Sequence, residues 1–197
     1  MTVRTVKKAD GVDAEGAAGT ADGAGAVSAQ VFRDVMACLA MPVAVVSTVD
    51  AAGRWHGATL GSVVSLSLDP PLVMFALGHG TGVHRPVCDS RRFCVSILAA
   101  EQRETAERFA GPAADRFAGD VVLLDGLPAV GAAAGWLACT RTELVEAGDH
   151  TIVIGRIDDA LRGPQGAGGP LLYHQRRYHR LGGPAELYQT AYARRPA

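Results

Sequence analysis

Short apolar runs separated by turn residues fill the first half of this sequence and restrict its fold more than any other feature. The runs lie at Val43 to Val49, Trp55 to Leu60, Val63 to Leu68 and Leu72 to Leu77, with a turn at Asp50 to Gly53. Each is six or seven residues long and is bounded by Gly, Pro or Asp, which is typical of strands. Strands spaced this closely predict a β-barrel or a β-sandwich.

The remaining pattern predicts two helices and four further strands. Ser28 precedes apolar residues at positions 31, 32, 35, 36 and 39, which predicts a capped amphipathic helix that ends before Pro42. A second helix is predicted at Gln102 to Phe109. The later strands are predicted at Phe93 to Leu98, at Leu171 to Tyr173, and in a hairpin of Trp136 to Val145 and His150 to Leu161 that turns at Gly148. The chain is therefore expected to be mainly β with α.

The two ends of the chain differ in composition from its middle. Residues 9 to 27 are nearly all small or acidic and lack any periodicity, so they bury too little surface to offset their ordering entropy. We expect a disordered leader at residues 1–27, one globular domain at 28–183 and a polar tail at 184–197. A hydrophobic content of 48% suffices for one core and for a surface that is covered in an oligomer.

Charge and motif content exclude several classes of protein. The formal net charge of -1 gives no field that would collect nucleic acid or anionic lipid, and no long apolar run is present, so we expect a soluble, cytoplasmic protein. The sequence contains no ATP-binding Walker A loop, no G-x-S-x-G serine hydrolase motif and no H-E-x-x-H zinc protease motif. The four cysteines form no C-x-x-C pair and are expected to be buried free thiols. No metal site is expected, although His174 and His179 are a weak zinc candidate.

A glycine loop follows the last of the early strands. Gly78 to Gly82 contains three glycines and Thr81, and a short helical stretch that Pro86 helps to start comes next. Such a loop turns tightly, points backbone N–H groups at an oxygen cluster, and predicts an anion site to which His84 contributes. A plain surface turn is the alternative. A dinucleotide fingerprint of the doubly wound fold would need glycine in place of Val83 and a long helix.

An earlier strand, upstream of this loop, carries small residues and hydroxyls from His56 to Ser62. Gly57, Thr59 and Gly61 share one face of the strand, where a flat ring could approach the backbone and accept hydrogen bonds along its edge. The alternative is an ordinary strand with a bulge at Gly61.

The order and spacing of several short motifs resemble those of the flavin reductase family, the small components of two-component flavin-dependent monooxygenases. The resemblance runs from about Phe32 to Leu181. It is carried by Phe32 to Met36, Pro42 to Val46, Gly57 to Thr59 with Ser62, Ser65 to Leu72, Arg92 to Leu98, Arg108 to Ala110, Gly148 to His150, and Pro170 to His174. It implies a split β-barrel of Greek-key strands that binds FMN or FAD, reduction by NADH or NADPH, and a homodimer with the flavin near the subunit interface.

The resemblance also implies which residues bind the flavin. They are Trp55, His56, Gly57, Ala58, Thr59, Gly61, Ser62, Ala76, Leu77, Gly78, Thr81, Gly82, Val83, His84, Arg108 and Phe109. Amphipathic packing of a helix explains Phe109 equally well. The chain departs from many relatives at Gly61, Val63, Arg91 and Ser96, where they carry Asn, Phe, Gly and Asn respectively.

The Gly148-Asp149-His150 triplet lies between two predicted strands. On physical grounds it is a turn in which glycine takes a positive φ and the Asp side chain caps the backbone. The resemblance implies that His150 meets the nicotinamide and orients it, as a catalytic residue that is not a general base. Arg177 and Tyr178 lie in a basic cluster after a strand and are predicted to bind the nucleotide. The alternative is that this cluster is simply the solvent-exposed end of a strand.

Three functions remain open at this point. The first is an NAD(P)H:flavin oxidoreductase that supplies reduced flavin to a separate monooxygenase. The second is an electron-transfer flavoprotein that holds FMN tightly and never releases it. The third is an interaction protein on a barrel that has lost its flavin.

Overall fold

The computed structural model describes residues 27–112, 116–164 and 169–181. The predicted leader, apart from Val27, and the predicted tail lie outside these residues and stay predictions. The described helices are α1 Ala29–Met36, α2 His84–Asp89 and α3 Arg103–Ala110. The described strands are β1 Met41–Pro42, β2 Ala44–Val49, β3 Trp55–Leu60, β4 Val64–Leu68, β5 Pro71–Gly78, β6 Arg92–Ile97, β7 Val121–Leu124, β8 Leu127–Val130, β9 Gly135–Ala147, β10 His150–Arg162, β11 Leu171–His174 and β12 Arg177–Arg180.

One antiparallel sheet of seven strands organises the molecule. Its order is β3-β2-β6-β9-β10-β5-β4, and smaller sheets are formed by β1-β11-β12 and β7-β8. Side chains from β2 and β5, which are four positions apart in this order, meet in one buried cluster, so the sheet is strongly curved. Its edge strands β3 and β4 follow one another in sequence but do not pair. The predicted mainly β, split-barrel architecture is confirmed.

The core inside the curved sheet is built from β-branched and aromatic side chains. Phe75 on β5 and Phe93 on β6 meet edge to face with ring centroids 5.1 Å apart, and both are 1% exposed. Val87 on α2 and Val83, the N-cap residue just before it, belong to the same cluster. Each fully buried Phe or Val contributes roughly 1.5–3 kcal/mol relative to an exposed one, so this cluster fixes where α2 and the glycine loop lie.

The β9–β10 hairpin is the longest element, with 13 residues in each strand. Its turn contains Gly148 at φ +63°, as predicted for the Gly-Asp-His triplet. The register shifts beside Gly155, where the ring of Phe93 occupies the space that a Cβ would need. Glycine is required there by packing of the chain against itself. The hairpin thus runs from the packed core to an exposed tip.

One prediction about buried residues is corrected: of the four cysteines, Cys38 is exposed and Cys88 is only half-buried. The predicted amphipathic helix forms as α1, with Ser28 Oγ accepting from the Val31 amide at 3.3 Å, but it buries no residue. Its apolar stripe faces outward in this single chain. Cys94 and Cys139 are buried free thiols as predicted, whereas Cys38 is exposed because it follows this unpacked helix.

The β7–β8 hairpin was not predicted. Its turn residues are Asp125 and Gly126, both at positive φ, in a dipeptide that is a common hairpin signal. No described helix is long and apolar enough to cross a membrane.

Candidate functional site

The glycine loop and the Gly-Asp-His turn lie side by side at one end of the sheet. Gly78, the last residue of β5, pairs in register with His150, the first residue of β10. The His79 amide donates to the Asp149 carbonyl at 3.0 Å, and a Cβ built on Gly78 would lie 3.4 Å from His150 Nε2. Two motifs that are far apart in the sequence are therefore brought into direct contact.

The loop is stabilised from within and leaves backbone donors free. Thr81 donates both its amide, at 3.0 Å, and its hydroxyl, at 2.8 Å, to the Gly78 carbonyl. Among the described residues, the backbone N–H groups of Gly80, Gly82 and Val83 have no acceptor. A Cβ at either of these two glycines would meet nothing within 4 Å, so this side of the loop is open. The free N–H groups suit an anion such as a phosphate.

A polar network behind the loop joins it to the hairpin. The hydroxyl of Thr151, which is 1% exposed, lies 2.8 Å from His84 Nε2, 3.2 Å from His79 Nε2 and 3.0 Å from Glu146 Oε1. The other oxygen of Glu146 lies 3.0 Å from His79 Nε2. A carboxylate only accepts, so Thr151 donates to Glu146 and accepts from the two rings, which each carry hydrogen on Nε2. The network links β9, β10, the loop and α2.

His150 lies at the tip of the β9–β10 hairpin, where one nitrogen of its ring has a hydrogen-bond partner. Its Nδ1 lies 2.7 Å from Asp149 Oδ1, and 46% of its side chain is exposed. The hydrogen bond with His150, followed by the charge of the ring, holds the pKa of the Asp149 carboxyl below its usual range. Asp149 thus fixes the orientation of the imidazole and leaves the Nε2 edge beside Gly78.

The glycine face of β3 packs against the chain's own side chains, and its predicted contact with a flat ring stays a prediction. Thr59 donates its hydroxyl to the Ala106 carbonyl of α3 at 2.7 Å, and a Cβ at Gly57 would lie 2.9 Å from Phe109 Cε1. Phe109 is 1% exposed and belongs to the core beneath α3, so amphipathic packing explains it. Gly61 faces Met41 at 3.3 Å. The close approach that these glycines permit is made by the chain's own side chains.

The opposite side of β3 and its neighbourhood hold three more of the predicted residues. Ala58 packs against the central core, and His56 lies with its Nε2 2.9 Å from Asp50 Oδ2. This hydrogen bond, together with the backbone N–H of Arg54, holds the pKa of the Asp50 carboxyl far below its usual range. Trp55 is half-exposed at the strand's start.

Ser62, just after β3, is hydrogen-bonded to β5. Its hydroxyl accepts from the Ala76 amide at 3.1 Å and lies 3.2 Å from the Ala76 carbonyl. Ala76 lies two residues before Gly78 on β5. Leu77 and Val83 are fully buried in the core, so they offer only backbone groups. The predicted flavin residues that the structure brings together are thus those around Ser62, β5 and the loop.

Three predicted residues lie elsewhere. Arg108 Nε donates to the Arg116 carbonyl at 3.1 Å on the far side of α3. Arg177 and Tyr178 belong to β12, where Tyr178 packs edge to face on Tyr173 at 5.2 Å. No hydrogen bond or ring contact of the described residues joins them to the loop or the hairpin tip. Their predicted roles in binding are not tested within one chain.

Sequence reasoning missed Thr151, Glu146 and His79. Their meeting depends on the register in which β10 pairs with β5 and β9, which places Thr151 opposite Leu77 and Glu146. No local pattern in the sequence carries that register. The only local sign in the sequence is that Thr151 directly follows His150, and a Thr next to a His is common outside functional sites.

The curved, mainly β sheet, with a glycine loop beside a histidine turn, has the arrangement that the resemblance implies for a split β-barrel. A family model described as "Flavin reductase like domain" matches residues 36–182. The chain therefore belongs to the flavin reductase family, and the resemblance predicted from the sequence is confirmed.

Similar proteins come from several bacteria. The chain is 47% identical to the NADH:riboflavin 5'-phosphate oxidoreductase of Streptomyces pristinaespiralis, over 78% of this chain and 89% of that protein. It is 34% identical to the reductase component of a 4-nitrophenol 4-monooxygenase/4-nitrocatechol 2-monooxygenase of Rhodococcus opacus, over 75% and 78%. A solved NADH:FAD oxidoreductase of Streptomyces globisporus C-1027, in complex with NAD and FAD fragments, matches with a TM-score of 0.74 and 32% identity, over 80% and 94%.

Proposed function

We propose that this chain is an NAD(P)H:flavin oxidoreductase that reduces FMN or FAD by hydride transfer and supplies the reduced flavin to a separate monooxygenase. The observation that carries the proposal is the contact between the glycine loop at Gly78 and the turn at His150. Family membership and the activities named for the relatives support it. Since two of those names specify NADH, we propose NADH as the donor, and the cytoplasm stays our prediction for the compartment.

The residues around the loop fit the two ligands. The free N–H groups of Gly80, Gly82 and Val83 would hold the flavin phosphate, and the backbone near Ser62 would face the ring edge. The flavin and the nicotinamide supply the redox chemistry when bound. The protein would supply position: the His150 ring, hydrogen-bonded to Asp149, would orient the nicotinamide carboxamide.

We also propose a homodimer. The eight residues of α1 are too few for a helix to be stable alone in water, yet they bury nothing in one chain. Val31, Phe32 and Val35 are each more than half exposed along one stripe. A second copy would cover this stripe, and light scattering of the purified protein is expected to give the mass of two chains. A mass of one chain would contradict the dimer.

Steady-state oxidation of NADH with free FMN or FAD tests the activity. Wild type is expected to consume NADH with at least one flavin, whereas His150→Ala is expected to lose about 10- to 100-fold in kcat/KM because the nicotinamide is misplaced. His174→Ala, which removes a histidine outside the site, is the matched control and should retain wild-type values. No oxidation of NADH or NADPH with either flavin would refute the reductase, and an unaffected His150→Ala would refute the role of that ring.

The tightly bound FMN carrier is the less favoured alternative, because the relatives are named as oxidoreductases and reductase components. Dialysis separates the two functions. A reductase that releases its product loses flavin on dialysis, whereas a carrier stays yellow.

A further inference from the structure

A cleft of about 840 Å³ lies along α2, beyond the glycine loop. Its walls are α2, the turn between β2 and β3, the start of β6, and the β7–β8 turn. Four arginines line it against two aspartates, although the whole chain has a net charge of -1. We call it the arginine cleft, and its cations are Arg54, Arg85, Arg91 and Arg92.

Three of the four guanidinium groups already have acidic partners. Arg54 Nε lies 2.8 Å from Asp50, Arg85 Nε lies 3.3 Å from Asp89, and Arg92 pairs with Asp125. Arg91 takes part in no side-chain hydrogen bond or ion pair with the described residues. It is exposed at the rim of the cleft. An anion that enters the cleft would thus find one uncompensated guanidinium without breaking any pair.

The cleft begins where the glycine loop and His84 end, and one predicted flavin residue, His56, lies in its wall. Arg85 and Pro86 line it directly after His84, and His56 lines it from β3, the strand that leads to Ser62. The six residues of α2 are about 9 Å long, which is within the reach of one nucleotide. The volume lies in the range of about 300–1,000 Å³ that is usual for small-molecule sites.

We propose that the arginine cleft binds the adenosine-phosphate end of a dinucleotide whose reactive end lies at the contact of Gly78 and His150. The planar fork of Arg91 suits two phosphate oxygens at once. The inference rests on the proposed function and deepens it. FAD and NADH both end in adenosine diphosphate, so either can be the source of this group.

Calorimetric binding of ADP, which needs no turnover, tests the site. ADP is expected to bind the wild-type protein, and Arg91→Gln is expected to weaken it about tenfold or more, which corresponds to about 1.4 kcal/mol. Arg162→Gln is the matched control, because Arg162 is an exposed arginine at the far end of β10 that makes no ion pair with the described residues. No binding of ADP, or equal affinity of both variants and wild type, would overturn the proposal.

Two further measurements identify the source of the adenosine phosphate. A lower affinity of Arg91→Gln for FAD but not for FMN would assign the cleft to the flavin. A raised KM for NADH, with the KM for reduced nicotinamide mononucleotide unchanged, would assign it to the hydride donor. If neither changes, the proposal fails. A protein that binds ADP through Arg91 but never oxidises NADH would retain the cleft and lose the proposed function, so the two failures are distinguishable.

Discussion

Replacing Thr151 by Val removes one hydroxyl from the centre of the polar network without changing the shape of the side chain. Both residues are β-branched and suit a strand, so the change isolates the hydrogen bonds. Thr151 is 1% exposed and no water can replace its hydroxyl. The substitution therefore leaves His84 without the partner that lies 2.8 Å from its Nε2.

The expected loss follows from the three contacts of the hydroxyl. A net hydrogen bond contributes about 0.5–1.5 kcal/mol. The side chains of His79 and Glu146 are 42% and 73% exposed, so water restores most of what they lose. His84 is half-buried and its Nε2 also lies 3.7 Å from Cys88 Sγ, so the bond to His84 accounts for most, but not all, of the remaining loss. The free energy of unfolding should fall by about 1–2 kcal/mol, which for a chain of this size lowers Tm by about 2–8 °C.

Thermal unfolding followed by circular dichroism measures this loss, and NADH oxidation measures its effect on the site. Because the network ties the loop to the hairpin, the KM for NADH should rise in Thr151→Val. The control is Thr142→Val on the same hairpin, whose hydroxyl makes one exposed bond to the Ile154 carbonyl at 3.1 Å. If the two variants share the same Tm and the same KM, the network neither stabilises the fold nor positions the nicotinamide.

Three further predictions concern single side chains. Burial raises the pKa of Cys94 and of Cys139 to about 12, so neither thiol should react with a disulfide reagent at about pH 8 until the chain unfolds. Because the pKa of Asp50 is lowered by folding, its carboxylate stabilises the protein above about pH 4 and this contribution is lost as the pH falls through the folded pKa. Asp50→Asn should thus lower Tm at neutral pH, and a Tm difference that persists unchanged in strong acid would contradict this. Gly155→Ala should destabilise the protein by about 1–3 kcal/mol in urea unfolding, because the ring of Phe93 fills the space of the new methyl group, and an unchanged midpoint would show that this ring can move.

The strands and the glycine loop could be predicted because their signals are local. Apolar runs with bounding Gly, Pro and Asp give the limits of β2, β3 and β5 within one or two residues. The contact of Gly78 with His150 could not be derived from the residues, since it depends on which strand lies beside β5 and in which register. The alternation of residues along a strand predicts which face is buried, but it does not predict which distant strand is the partner.

Gly57 shows how little a single strand glycine predicts about a site. A glycine on a strand indicates that something approaches the backbone closely, and a ligand is only one candidate. Here the approaching group is the ring of Phe109, and Thr59 uses its hydroxyl to hold the same helix. The glycine and the aromatic residue can both be identified in the sequence, but the packing of α3 against β3 cannot be predicted from it.

The position of β10 in the sheet has a consequence for synthesis of the chain on the ribosome. Among the described strands, only β10 joins the β4–β5 pair to the rest of the sheet, because it lies between β5 and β9. A nascent chain that ends before residue 150 can form the local hairpins of β2–β3 and β4–β5, but it has no strand that can unite them. The inner edge of β5 then remains unpaired while about seventy more residues are translated, and such an edge is open to pairing with other chains. Assembly of the barrel must therefore wait for the long hairpin, and the same event that completes the sheet also brings the histidine turn to the glycine loop.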